Sequence, residues 1–285
     1  MGASGNAPAT ARSFMSSNQP VSRLTDPEYL RNEQYADAAN LHARLQLHQR
    51  FSTNPYNWFR WVFDHLDLPD PARILEIGSG SGELWVKNAD RLPAGWGVIL
   101  SDFSGGMANE AQCNIKTIPH PFRLSILDAH AIPFPGETFE AVIANHILPH
   151  VPNLGKAISE IYRILKPNAY LYAATNGKTH LRELYELINQ FEPSILSSSQ
   201  TLPFNLENSR EHLRKLFPKV EMDVYEDSLR VTEAEPLGAY ILSMMTVDIN
   251  REQEARLHQF LASELKRQGV IHISKKPGLF MARKY

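Results

Sequence analysis

Gly78, Ser79, Gly80, Ser81 and Gly82 follow a short apolar run and carry the clearest chemical signal in the chain. Ile74-Leu-Glu-Ile77 reads as a strand, and the glycine-serine stretch as the turn into a helix. Glycine allows unusual dihedrals and lets a ligand approach the main chain closely. In an open α/β sheet that ligand sits beyond the carboxyl end of the strand. Glu76 lies inside the apolar run, where a carboxyl is costly unless paired. It can order the loop amides or receive a cationic ammonium, and it would repel a pyrophosphate. The dinucleotide fingerprint is G-x-G-x-x-G. Here the spacing is G-x-G-x-G, and Glu83 stands where the third fingerprint glycine would be. A nicotinamide-dependent oxidoreductase is therefore the weaker reading.

Further candidates follow in order. Ile99-Leu-Ser-Asp102 ends a second apolar run in an acid, with Phe103 and Met107 beyond it. Asp128 and Ala129 sit in the loop Leu127-Asp-Ala-His-Ala-Ile-Pro-Phe-Pro135, and Asn145 ends Phe139-Glu-Ala-Val-Ile-Ala-Asn145. His146 and His150 come next. A neutral imidazole at that strand exit can take a proton from a hydroxyl or an acidic carbon; orienting a cofactor is the alternative for His146. His130 reads as a loop residue.

This ordered set resembles class I S-adenosylmethionine (SAM)-dependent methyltransferases over about Arg73–Thr175, most of all the subgroup acting on quinones and natural products. The resemblance implies SAM as cofactor. It implies that Asp102 receives the ribose hydroxyls, that Phe103 and Met107 flank the adenine, and that Asp128 and Ala129 lie at its edge. Glu76, Gly78, Ser79, Gly80, Gly82 and Asn145 complete the implied cofactor set. It also implies that the aromatic segment before the core (Tyr29, Tyr35, Phe51, Tyr56, Trp58, Trp61) folds over the cofactor as a lid. Pro167-Asn-Ala169 departs from the family's Pro-Gly-Gly, in a turn remote from the chemistry.

The elements that must position these residues form a βαβ rhythm. Strands are expected at Arg73–Ile77, Gly97–Ser101, Phe122–Ile126, Ala141–Ala144 and Ala169–Ala174, with helices at Ser81–Arg91, Gly106–Cys113 and Leu154–Leu165. Near-continuous apolar strands suit a sheet covered on both faces. The expected fold is α/β, a doubly wound Rossmann-like seven-stranded sheet with a terminal antiparallel hairpin, an N-terminal helical lid and helical insertions. Residues 1–25 read as a flexible arm and 26–70 as the lid, with a helix over Tyr35–Arg50 and another capped by Asn54-Pro55. Residues 71–178 are the SAM-binding core, and 179–219 a helical substrate cap. The cap holds a helix at Thr179–Phe191, a polar loop at Ser194–Thr201 and a capping box at Asn208-Ser-Arg-Glu211. Residues 220–285 return to the core with a strand at Val220–Tyr225, two helices, and a hairpin of Val270–Ser274 and Leu279–Lys284. His42, Arg44, His48 and Arg50 read as a solvated face, from which Arg44 or Arg50 could meet the methionine carboxylate.

Composition narrows the partners. A formal net charge of −2 argues against nucleic acid. One cysteine, Cys113, allows neither a disulfide framework nor a cysteine metal cluster and fits a reducing cytoplasm. No acidic cluster suggests magnesium, no apolar run is long enough to span a bilayer, and the N-terminus has no signal-peptide core. The fourth-strand exit lacks the Asn/Asp-Pro-Pro-Tyr pattern of amino-methylating nucleic-acid enzymes. The expected function is methylation of a small apolar or aromatic molecule on oxygen, nitrogen or carbon, in secondary metabolism. A SAM-binding protein without turnover is the other alternative. Arm and lid would permit a homo-oligomer.

Overall fold

The computed structural model describes residues 25–36, 38–193, 202–245 and 249–285. The expected arm, up to residue 24, and the polar loop at 194–201 lie outside them. One turn, α1 (Pro27–Tyr29), runs into a π-helical turn at Leu30–Gln34; α2 (Ala39–Phe51) and α3 (Trp58–Asp64) follow. The core continues as β1 (Ala72–Ile77), α4 (Glu83–Val86), β2 (Trp96–Asp102), α5 (Gly105–Ile115), β3 (Arg123–Ile126), β4 (Phe139–Asn145), α6 (Leu154–Ile164) and β5 (Leu165–Asn176). Then come α7 (Arg182–Phe191), α8 (Ser209–Arg214), β6 (Lys219–Val224), β7 (Ser228–Val231), α9 (Ala234–Met244), α10 (Arg251–Gln268), β8 (Ile271–Ser274) and β9 (Pro277–Arg283).

Seven strands form one sheet in the order β3-β2-β1-β4-β5-β9-β6, with β9 antiparallel to both neighbours. Strand alternation divides its apolar residues between two cores. Leu75, Ile77, Val142, Ala144, Leu171 and Ala173 face α6, while Ile74, Val98, Leu100, Ile143 and Tyr172 face α3 and α5. By the same alternation Glu76 points to the second side, toward Trp85. The chain leaves β1 to pair with β2 on one side and β4 on the other. That switch point opens a cleft at the carboxyl ends of the strands.

A third core lies outside the sheet. Leu47 and Phe51 of α2 pack with Leu184, Leu187 and Ile188 of α7, Leu237 and Ile241 of α9, Leu257 and Leu261 of α10, and the β7–β8 pair. Residues of 179–219 divide between cores, because Leu213 and Phe217 join the α6 side of the sheet.

Local expectations needed correction. Val270–Ser274 and Leu279–Lys284 do not form a hairpin: β8 pairs with β7, and β9 inserts between β5 and β6. The antiparallel end of the sheet is present, but its partners β6 and β9 are separated by the accessory elements. The helix expected over Ser81–Arg91 is α4 plus a 3-10 turn at Ala89–Arg91. Asn57, not Asn54, caps α3, accepting from the amides of Phe59 and Arg60. Asn208 forms no capping box; its Oδ1 accepts the Asn205 amide at 2.8 Å.

Candidate functional site: a glycine cradle beside a histidine pocket

Gly78, Gly80 and Gly82 all take positive φ (67°, 53° and 79°), which explains glycine at each. Gly78 has a second reason: a Cβ there would lie 2.7 Å from Cγ1 of Ile147. The loop is tied to β2 by Asp102, whose Oδ2 accepts the Gly80 amide at 3.0 Å and whose Oδ1 accepts the Ser104 amide at 2.9 Å. Burial raises the pKa of the Asp102 carboxyl, and those amides oppose the shift. The Ser79 amide donates to the carbonyl of Ser101 at 2.9 Å.

An open cleft lies here, at the carboxyl ends of β1 and β2. Gly78, Asp102, Phe103, Asp128, Ala129 and His150 line it, so the fold unites five of the expected cofactor residues and one of the two candidate bases. Met107 does not: it is fully buried behind the cleft on α5. Glu76 is also behind the loop, 2% exposed, where Trp85 Nε1 donates to its Oε2 at 2.6 Å. Burial pushes its pKa up to about 8, against the Trp85 bond. His130 donates from Nδ1 to Asp128 if its Nε2 accepts the Asn153 amide, which lies 3.2 Å away.

The N-terminal segment roofs this cleft. Pro27, Leu30, Arg31 and Tyr35 line it, and the Arg31 guanidinium lies 5.3 Å from the Phe103 ring centroid. Ser104 Oγ donates to the Tyr35 carbonyl at 2.7 Å. The aromatic lid set nevertheless divides. Tyr29 bonds Gln34, Phe51 belongs to the third core, and Tyr56 is exposed with its hydroxyl on Asp64. Trp58 stands beside His146 with ring centroids 5.3 Å apart, and Trp61 packs on Tyr225.

His146 leaves β4 with φ of +58°, an uncommon conformation for a non-glycine residue. Burial, then His150 and Lys275, lowers its pKa to about 4. Its ring is therefore neutral near pH 7 and a weaker base than a free imidazole. Neighbouring Asn145 has both side-chain amide atoms buried without a partner. A buried amide of that kind calls for a ligand or water.

The solvated face expected on α2 is only partly so. His42 pairs with Glu110 at 3.3 Å and Arg50 with Glu233 at 2.5 Å, both at the surface. Arg44 is committed to Ser243 and Tyr35, so neither arginine is left for a methionine carboxylate. His48 instead turns inward, edge-on to Tyr240. Lys275 and Asp227 act on it electrostatically, and it acts on His180; none of these three belongs to a sequence motif. Arg31 and Ile147 were also missed; neither belongs to a motif.

Residues 75–173 match a family model described as a methyltransferase domain. This stretch is similar to a SAM-dependent methyltransferase domain, and it holds the glycine loop, Asp102 and Asn145. The ubiquinone/menaquinone biosynthesis C-methyltransferase UbiE of Vibrio cholerae is 25% identical over 175 residues, 61% of this chain and 66% of that protein. The match thus spans just under two thirds of that relative. YcgJ of Bacillus subtilis superposes with a TM-score of 0.56 at 15% identity, over 79% of this chain and 97% of that one. The Haemonchus contortus phosphoethanolamine N-methyltransferase 2, in complex with phosphomonomethylethanolamine and S-adenosylhomocysteine, superposes with a TM-score of 0.57 at 20% identity, over 93% of this chain and 60% of that one. At these identities the structural likeness establishes the fold.

The residues of the cleft fit SAM as cofactor. Gly78 and Asp102 line the open cleft, and Asn145 close by has an unpaired buried amide, an arrangement that suits a nucleoside with an amino-acid tail. The nicotinamide reading is not favoured. Among the described residues no helix is long and apolar enough to cross a membrane.

Proposed function

We propose that this chain transfers a methyl group from SAM to a small apolar or aromatic molecule, with His146 accepting the proton that the acceptor gives up. The observation that supports this most is the adjacency of two sites at the end of β4: Ile147 closes on Gly78 of the cradle, and His146 faces Trp58. Bound SAM supplies an activated methyl on a sulfonium, which leaves as a neutral thioether. Catalysis by the chain is then mostly placement. Asp102, Phe103, Asp128 and Ala129 hold the nucleoside; the main chain of Gly78, Ser79, Gly80 and Gly82 holds the amino-acid part, with Asn145 beside it. Glu76 supports the loop from behind through Trp85. His150 serves the wall rather than the proton, since it lines the nucleoside cleft.

His146 removes the proton from an acceptor hydroxyl or acidic carbon as the new bond to methyl forms. The aromatic faces of Trp58 and Tyr225 exclude water and suit a flat or apolar acceptor. The relatives' names tell of quinone biosynthesis; for this chain a place in secondary metabolism belongs to the same reading. A lone exposed thiol, Cys113, supports action in a reducing cytoplasm. Methyl-labelled SAM incubated with the protein and a metabolite extract tests the proposal. Label in a small organic product supports it. SAM binding without transfer would make the chain a cofactor-binding protein instead.

A further inference from the structure

His48, His146 and His180 come from α2, the exit of β4 and the turn after β5. They lie close enough to perturb one another, and Lys275 acts on all three. Lys275 Nζ lies 5.8 Å from the Tyr225 ring centroid and Trp58 lies 5.3 Å from the His146 ring, so side chains from distant parts of the chain form one cluster. Trp58 and Tyr225 wall the same space, with ring centroids 5.3 Å apart.

The hydrogen-bonding groups in it are mainly donors. His180 Nδ1 accepts the Lys276 amide at 3.0 Å, so its neutral ring carries the proton on Nε2. Trp58 Nε1, which can only donate, is buried without a partner, and so is Nδ1 of His48. Lys275 is 8% exposed and bonds Asp227, which is 0% exposed. An ammonium has three donors, and Asp227 uses one.

Asp227 faces the other way. It also accepts from Ser52 Oγ and from the amides of Thr53 (3.1 Å), Asn54 (3.0 Å) and Ser228 (2.8 Å). Its charge is felt at His48, where it opposes Lys275 and Arg44, but not notably at His146 or His180. Lys275 thus meets Asp227 on one side and the Tyr225 ring on the other, which leaves ammonium donors toward the cluster.

We propose that the pocket between His48, His146, His180 and Lys275 binds an oxyanion on an aromatic substrate, either a carboxylate or an ionised hydroxyl. The inference rests on the methyltransferase reading, since it takes the bound molecule to be the methyl acceptor. The oxyanion receives hydrogen bonds from Lys275 Nζ, His180 Nε2 and Trp58 Nε1, and the rings of Trp58 and Tyr225 cover its apolar part. The charged and titratable groups around it are the three histidines, Lys275, Arg44, His150, Tyr225 and Tyr240, with Asp227 turned away behind Lys275.

Calorimetry on the full chain saturated with S-adenosylhomocysteine tests this, with benzoate, its neutral analogue benzamide, and 4-nitrophenol as probes. Benzoate should bind at least about tenfold more tightly than benzamide, or 4-nitrophenol should bind as its coloured anion below the pH at which it ionises in water. The first outcome assigns a carboxylate and the second an ionised hydroxyl. The preference should vanish in the double variant Lys275→Met/Asp227→Asn, which removes both buried charges together, and weaken several-fold in His180→Gln. Benzoate no tighter than benzamide, with nitrophenol bound neutral or not at all, overturns the inference even if neither variant folds. Failure of S-adenosylhomocysteine to bind would instead overturn the methyltransferase reading, so the two failures are distinguishable.

Discussion

The glycine cradle and the histidine pocket lie side by side and are built in opposite ways. The cradle comes from neighbouring residues, 78–82, and works through main-chain amides and positive φ. The pocket takes one residue each from positions 48, 146, 180 and 275, and works through side chains. One buries an acid behind it; the other buries bases around it. A backbone site suits a cofactor that a whole family shares. A side-chain site can change residue by residue, and it sits where an acceptor must lie.

The sharpest break in this comparison is Gly78→Ala. A methyl group at φ of +67° and 2.7 Å from Ile147 forces the loop or β4 exit to move. SAM affinity should fall about 100-fold, equivalent to about 2.7 kcal/mol, and calorimetry would show it. An unchanged affinity would mean that the loop does not hold the cofactor.

His146→Asn separates the two regions from the other side. Asparagine tolerates the left-handed backbone that alanine would strain. Turnover should drop by about 10²–10⁴ while S-adenosylhomocysteine affinity stays within about twofold. Equal losses would make His146 a binding residue of the cradle.

Titration distinguishes the regions by sign. Glu76 has a folded pKa near 8, above the ordinary 4.5. Folding therefore takes up a proton between those values, and the cofactor-free protein loses stability from Glu76 as pH rises through that window. The pKa values of His48 and His146, about 3 and about 4, lie below the ordinary 6.5. Their contribution runs the other way: it is present above pH 6.5 and lost as pH falls toward 4. Denaturant midpoints across pH would show Glu76→Gln flattening the upper limb by about 1 kcal/mol or more, with the acid limb unchanged.

The smallest effect belongs to the roof. Arg31→Ala removes an exposed cation over Phe103, worth about 0.5–1 kcal/mol. SAM affinity should weaken about two- to fivefold without a change in the proton-transfer step. A turnover defect larger than the binding defect would mean that the roof also orders the histidine pocket.

The core was readable because its signals are local. Apolar strands with period 2, the glycine spacing and the acid ending β2 each occupy a few consecutive residues. The seven-stranded sheet follows from them, as do the places of Asp102, Phe103, Asp128 and Ala129 in the cleft. The errors came where a distant partner decides. Val270–Ser274 and Leu279–Lys284 look like a hairpin, but strand pairing is set by the best-buried neighbours, and those are β7 for one and β5 with β6 for the other. Met107 sits in the expected place along the chain, yet α5 turns it inward.

His48 shows the limit most clearly. On α2 it lies among His42, Arg44 and Arg50, a polar spacing that reads as a solvated face. The packing of Leu47 and Phe51 into the third core rotates α2 so that His48 faces Tyr240 and the concavity. The cradle follows from covalent neighbours and backbone sterics, so the sequence alone determined its existence and ligand class. The charge, donors and walls of the pocket depend on elements far apart in the chain. Only the tertiary structure, by burying Lys275 against Asp227 and aiming three histidines together, decided what that pocket can hold.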